Sequence, residues 1–364
     1  MVTISLVMIV KNEEKILRRC LDCVKNLMDE IIVVDTGSTD KTKEIAGEYT
    51  DKIYDFKWID DFAAARNFAF SKATMDYIYS GDADEVIDDA NRMRFMSLKS
   101  ALVPEVEIVQ MHYVEKSGSS VLNAKSEYRP KLYKRLRNFT WIEPIHETVR
   151  IDPVVFDSDI EIFHMPESLH SKRDFSIFEK AYNKDKYLSD NLINMYAKEL
   201  LKCGDKSDFE NASKIFESIL INQKVTEEQL CKLSCILAKA ARLMGNDTSF
   251  LKYTTKVLVS SPCSEICLEL GEYFLSHNDN EEAIVWFYNA AYETEPILDI
   301  MSQGKAPRLG LAQCYANIAE SLGYHDFTDE SAEKSAPQDV SAILELHNKY
   351  LEEAMEWDVP KEQE

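Results

Sequence analysis

An α/β domain followed by an all-α helical domain is the fold class this sequence predicts, and three observations predict it. Near-continuous apolar runs alternate with amphipathic segments through the first half of the chain. Polar or acidic residues stand at the end of each run. From about Lys172 onward the strand periodicity disappears, and apolar residues recur only at helical spacing. Strand–helix repetition implies a parallel sheet with right-handed crossovers, since a parallel connection must carry the chain back across the sheet. The expected division is residues 1–170 for the α/β domain, 171–357 for the helical domain and 358–364 for a fraying polar tail.

Val2 to Val10 is apolar almost throughout, as in a strand buried on both faces, and Lys11 to Glu14 ends it. Ile16, Leu17, Cys20, Leu21, Val24 and Leu27 then recur at three and four, which predicts a helix over Lys15 to Leu27. Glu30 to Asp35 is a second buried strand. Thr36 to Asp40 turns the chain, and Ser38 or Thr39 is placed to cap a helix running to about Tyr49. Lys52 to Phe56 predicts a short third strand, Phe62 to Ala73 a helix, and Met75 to Ser80 a fourth strand. Glu105 to Val114 and Ser126 to Leu136 read as antiparallel extensions of the sheet. Two short strand-like runs follow between Phe139 and His164.

Composition narrows the class of partner. The chain has 364 residues, long enough for two or three cores, with a net charge of −22 and a pI near 4.8. That balance argues against electrostatic binding to nucleic acid or anionic membrane. A local basic patch, Lys131, Lys134, Arg135 and Arg137, remains available to an anionic ligand. No run of about 18 apolar residues occurs, so no membrane span is expected. The first ten residues lack the basic flank of a signal peptide. Eight cysteines are spread through the chain, several at helical spacing, and Cys20 and Cys23 have no second pair at zinc-site spacing. Small buried thiols in a reducing cytoplasm are the expectation.

Ligands of parallel sheets bind outside the carboxyl ends of the strands. Asn12, Asp35, Asp61 and Asp82 all fall at or just beyond such ends. The fourth strand delivers Gly81-Asp-Ala-Asp-Glu85, whose carboxylates suit a divalent cation that also takes phosphate oxygens. In extended backbone, positions two apart share a face, so Asp82 and Asp84 would converge on one ion. Structural alternatives stand beside each reading. Asp35 serves equally as the acceptor of a tight turn, Arg66 as the surface partner of Asp60 or Asp61, and His164 as a half-buried histidine. Trp141 reads as core more than as a sugar platform.

The ordered set Val10-Lys-Asn-Glu-Glu14, Val33-Val-Asp-Thr-Gly-Ser-Thr-Asp-Lys-Thr42, Asp61-Phe-Ala-Ala-Ala-Arg-Asn67 and Gly81-Asp-Ala-Asp-Glu85 resembles the family 2 glycosyltransferases. The likeness extends through Arg129 to Lys134, Trp141, His146-Glu147 and Ile162 to His164, and so covers about the first 165 residues. It implies a GT-A fold, a Rossmann-like mixed sheet, and inverting transfer from a nucleotide sugar. It further implies that Asn12 and Glu13 flank the nucleoside, that Asp35 reads the uracil or ribose, and that Arg66 touches the nucleotide side. Asp82 would contact ribose and metal, with Asp84 and His164 as further ligands of Mg²⁺ or Mn²⁺. Glu147 is the implied general base and Asp61 its rival. The Gln-x-x-Arg-Trp of processive synthases is absent, and Lys11 stands where many relatives carry an aromatic residue.

The second half carries a near match to the 34-residue tetratricopeptide (TPR) pattern in Leu270-Gly271, Phe274, Ala283, Phe287, Ala290 and Pro296. Weaker echoes occur at Tyr196, Leu200, Ala212, Phe216 and Ile219. Each helix pair of such a repeat buries one face and stacks on its neighbours. Helical repeats form concave peptide-binding surfaces, pack chains into homodimers, or simply buttress a catalytic domain. The whole is similar to bacterial transferases with appended repeats, some of which glycosylate peptide Ser, Thr or Cys. The expected partners are a nucleotide-sugar donor and a peptide or glycan acceptor. A non-catalytic TPR adaptor, or a transferase acting on a cell-surface glycan or lipid-linked acceptor, is the alternative.

Overall fold

β1 (Ile4–Val10) is buried along nearly its whole length and splits the first core by residue parity. Ile4, Leu6 and Met8 pack on one face with Leu17, Leu21, Tyr79 and Phe95, while Val7 packs on the other with Ile32, Val34, Phe70 and Trp141. The computed structural model describes residues 1–115, 126–149, 153–165, 171–324 and 338–358, and it divides into two units, Met1–Ala181 and Tyr182–Glu364. The expected end of the first domain at residue 170, most of the loop from Leu322 to Gln338, and the polar tail beyond Asp358 lie outside the described residues.

In the first unit β1 is followed by α1 (Leu17–Val24), β2 (Glu30–Asp35), α2 (Thr42–Gly47), β3 (Ile53–Asp55), α3 (Phe62–Phe70) and β4 (Tyr77–Gly81). Then come β5 (Glu85–Val86), α4 (Asp89–Ala101), β6 (Ile108–Glu115), β7 (Ser126–Lys134), β8 (Trp141–Ile142), β9 (Thr148–Val149), β10 (Val155–His164) and α5 (Ser171–Asp185), of which the part up to Ala181 belongs to this unit. The large sheet has the order β3-β2-β1-β4-β7-β6-β10-β5, with β1, β2, β3 and β4 parallel and β7 antiparallel to both β4 and β6. This is a mixed GT-A-type sheet. The parallel register sets Val10 beside Asp35 and Met8 beside Gly81, so the segments leaving these strands collect along one rim. A Cβ on Gly81 would lie 2.8 Å from Leu6 Cδ1, so a larger residue there would displace that side chain.

Several local expectations are corrected. α3 stops at Phe70 and not at Ala73, since Lys72 and Ala73 close the last turn with bonds to Ala69 and Phe70. Ser38 and Thr39 do not cap α2: Ser38 Oγ accepts from Asn12 N, and Asp40 accepts from Thr42 N. β5 and α4 are not foreseen from the sequence, and β10 is longer than the short runs expected there.

The second unit is helical: α6 (Asp190–Cys203), α7 (Lys206–Asn222), α8 (Glu227–Met244), α9 (Asp247–Ser260), α10 (Ser264–Ser276), α11 (Asn280–Tyr288), α12 (Lys305–Ser321) and α13 (Gln338–Glu356). Side-chain caps start most of these helices, with reciprocal capping boxes at Asp205/Asp208 and Thr226/Gln229. The repeat positions are packing positions. Tyr196, Leu200, Ala212, Phe216 and Ile219 are fully buried. Phe287 lies between Gly271 and Gly310, where added Cβ atoms would come within 2.5 and 2.6 Å of its ring. No helix among the described residues is long and apolar enough to cross a membrane.

Candidate active site

β7 brings a cation beneath the end of β4. The register Tyr79 with Leu132 sets Lys131 beside Ser80, and the shift of register against β6 between Leu132 and Pro130 makes Lys131 the extra residue of a bulge in β7. Lys131, only 4% exposed, pairs with the buried Glu85, donates to Ser80 O at 3.1 Å and lies 3.5 Å from Asp82 Oδ2. Burial pushes the Glu85 carboxyl up to about 7, against the pull of Lys131. Burial also opposes ionisation of Asp82, but Lys131, Arg66 and Arg129 together outweigh it and hold that carboxyl at about 2.

The Asp61 to Asn67 motif divides its labour among three side chains. Asp61 caps α3, accepting from Ala64 N at 2.9 Å. Asn67 pins β8 with a pair of bonds, donating to Trp141 O at 3.0 Å and accepting from Trp141 N at 2.9 Å. Arg66 reaches Glu147, 81 positions away, with Nε at 2.7 Å and Nη2 at 2.6 Å from the same Oε1. Its guanidinium also bonds Ser80 Oγ, lies 3.9 Å from Asp82 and stacks 4.9 Å from the Trp141 ring. Trp141 meets Phe70 and Tyr133 edge-to-face, so it is core and cleft wall at once. A cleft of about 510 Å³ is lined by Arg66, Asp82, Arg129, Lys131, Trp141 and Glu147.

Asp82 and Asp84 do not sit on an extended strand. Glu85 N bonds Asp82 O at 3.2 Å across a turn, so the parity that would align the two carboxylates is absent. Asp84 instead meets His164 Nε2 at 3.0 Å, brought there by the pairing of β10 with β5. Asp84 Oδ1 is buried without a hydrogen-bond partner among the described residues. No group of three or more metal-ligating side chains occurs among those residues.

Hydrogen bonds tie the β1 and β2 ends together along the rim. Asp35 is 2% exposed, and its Oδ2 accepts from Gly37 N and Ser38 N, each at 3.0 Å. Asn12, with φ of 56°, accepts from Thr39 N at 2.8 Å, while Glu13 N donates to Thr42 Oγ1 at 2.7 Å. Lys11, Glu13, Thr36, Trp58 and Phe62 line a second cavity of about 300 Å³. Asn12, Asp35 and Asp61 line neither cavity. Lys131 and Glu85, read from the sequence as part of a basic patch and of an acidic motif, form a buried ion pair that sequence reasoning misses. The signal lies in β7, where charged residues alternate with apolar ones on a strand deep in the sheet.

Fold and cleft together define a GT-A-type α/β domain joined to a TPR-like helical domain. Residues 5–150 match the model for Glycosyl transferase family 2, and that segment is a family 2 glycosyltransferase domain. The glycosyltransferase SunS of Bacillus subtilis is 32% identical over 161 residues, 41% of this chain and 38% of that protein. A TPR repeat-containing protein of Synechococcus elongatus is 52% identical over 85 residues, 23% of this chain and 21% of that protein. The chain thus spans well under half the length of either relative. Among solved structures, glucosyl-3-phosphoglycerate synthase from Mycobacterium tuberculosis, with Mn²⁺ and UDP-glucose, is similar at 13% identity and a TM-score of 0.37. That likeness covers 52% of this chain and 81% of that chain.

Proposed function

We propose that the protein is an inverting glycosyltransferase that moves a hexose from a UDP-linked donor to a nucleophilic side chain, Ser, Thr or Cys, of a peptide. The observation that carries this reading is the Arg66–Glu147 pair set beside Asp82 in one cleft. In an inverting reaction the acceptor oxygen or sulfur bonds the anomeric carbon as the bond to the diphosphate breaks on the opposite face. The acceptor proton goes to a carboxylate within reach. Glu147 suits that role, because both Arg66 bonds land on Oε1 and Oε2 takes the proton. Asp61 is the weaker candidate because its carboxylate is already spent on capping α3.

Asp84 and His164 fit a divalent cation, offering one carboxylate and one imidazole, with the partnerless Asp84 Oδ1 as the donor atom in need of a ligand. Mg²⁺ or Mn²⁺ held there would neutralise charge on the departing nucleoside diphosphate. Asp82, held ionised between Arg66 and Lys131, would accept hydrogen bonds from donor hydroxyls. The helical unit supplies the repeat surface on which a peptide would lie. We place the reaction in the cytoplasm, where the thiols of Cys235 and Cys263, 3.5 Å apart, would stay reduced.

UDP-, GDP- and dTDP-sugars tested for turnover with and without Mn²⁺, on wild type and Asp84→Ala, check this reading. Metal-dependent turnover of a UDP-sugar, lost in the variant, is the expected result. A folded wild type that turns over no donor would overturn it.

A further inference from the structure

Two residues, Phe62 and Arg173, line both cavities. Phe62 opens α3, and its backbone N donates to Pro144 O at 2.8 Å, which fixes the place of its ring. Arg173 stands in the first turn of α5, with its guanidinium carbon 5.2 Å from the centre of that ring. Its Nε pairs with the adjacent Asp174 at 3.0 Å, and its side chain stays 49% exposed. Neither terminal nitrogen donates to a described residue. Of the other cations lining the cavities, Arg66 pairs with Glu147, Lys131 with Glu85, Arg129 with Glu127 and Lys180 with Asp60 at 2.9 Å, and Lys11 lines the smaller cavity with no ion pair among the described residues.

The chemistry of the cavities differs. The smaller is walled by Trp58 and Phe62, whose rings meet edge-on at 4.7 Å, and Trp58 Nε1 is fixed on Asp60 at 3.1 Å. Aromatic faces in a concave site suit a flat base. The larger holds Asp82 and Glu147, groups suited to a sugar and its acceptor. A ligand lying across both would carry its linker past Arg173. A diphosphate linker presents paired oxygens that match a planar guanidinium fork held beside an aromatic ring.

We infer that Arg173 is the diphosphate contact of the donor site, with the base against Trp58 and Phe62 and the sugar in the larger cavity. This rests on the nucleotide-sugar reading above and adds the residue that binds the linker. Titration calorimetry with UDP and with uridine, on wild type, Arg173→Ala, Arg173→Lys and Trp58→Ala, tests it. Arg173→Ala should weaken UDP by about 10- to 100-fold, the loss of a charge-assisted phosphate contact, and leave uridine within about twofold. Arg173→Lys should fall between, and Trp58→Ala should weaken both ligands. Unchanged UDP affinity in Arg173→Ala, or equal losses for UDP and uridine, would overturn the inference while leaving the donor reading intact. A wild type that binds none of UDP, GDP and dTDP would overturn both.

Discussion

Lys131 shows how single residues at this rim serve structure and site together. Its ammonium is buried against Glu85, so Lys131→Met leaves that buried carboxyl without its counter-charge. Breaking a buried pair in this way costs about 3–5 kcal/mol, whereas removing both partners costs much less. Lys131→Met should therefore lower the unfolding midpoint sharply, and adding Glu85→Leu should recover part of the loss. Equal midpoints for wild type and the single variant would show that the pair contributes nothing. Residue types are legible at this scale, but partnerships are not. Arg66 meets Glu147 across 81 positions, and no local pattern announces that contact. Asp35 and Asp61 have the placing of ligand residues, yet their carboxylates are engaged by nearby backbone N–H groups. Asp82 and Asp84 have the spacing of an extended pair, and the turn between them defeats that parity.

At the scale of elements, Glu30 ties four strands of the sheet together. It opens β2 and bonds Ser5 of β1, Lys52 ahead of β3, and both N and Oγ1 of Thr74 ahead of β4. Burial alone would raise its pKa, but the Lys52 pair and these hydrogen bonds outweigh burial and lower it from 4.5 to about 2. A carboxyl depressed on folding stabilises fully above its unfolded value and loses that stabilisation as pH falls toward its folded value. The contribution is of order 3 kcal/mol at neutral pH. Urea unfolding of wild type and Glu30→Gln should show a gap that is constant above about pH 5 and shrinks steadily between about pH 4.5 and 2. A gap independent of pH would contradict this role. The first four strands are legible because two-faced burial demands continuous apolar sequence. β5 has only two residues, and α4 buries only Asn91 and Phe95, so neither leaves a periodic trace.

For the whole molecule, the change from strand to helical periodicity near Lys172 is the clearest signal, because it reflects two kinds of core. The four ordered motifs add the rest: each is an ordinary turn alone, and together they mark successive strand ends of one rim. The repeat signature is equally physical, since Gly271 and Gly310 make room for Phe287 between helices. The second wall of the cleft is not legible, because β7, β8 and α5 assemble it through long-range contacts. The central claim is inverting transfer, and the anomer first released tests it most directly. Proton NMR of an α-linked UDP-hexose hydrolysed by the wild-type protein with Mn²⁺, recorded faster than mutarotation, should show the β-sugar appearing first. Initial release of the α-sugar, or no metal-dependent release by the folded protein, would contradict it.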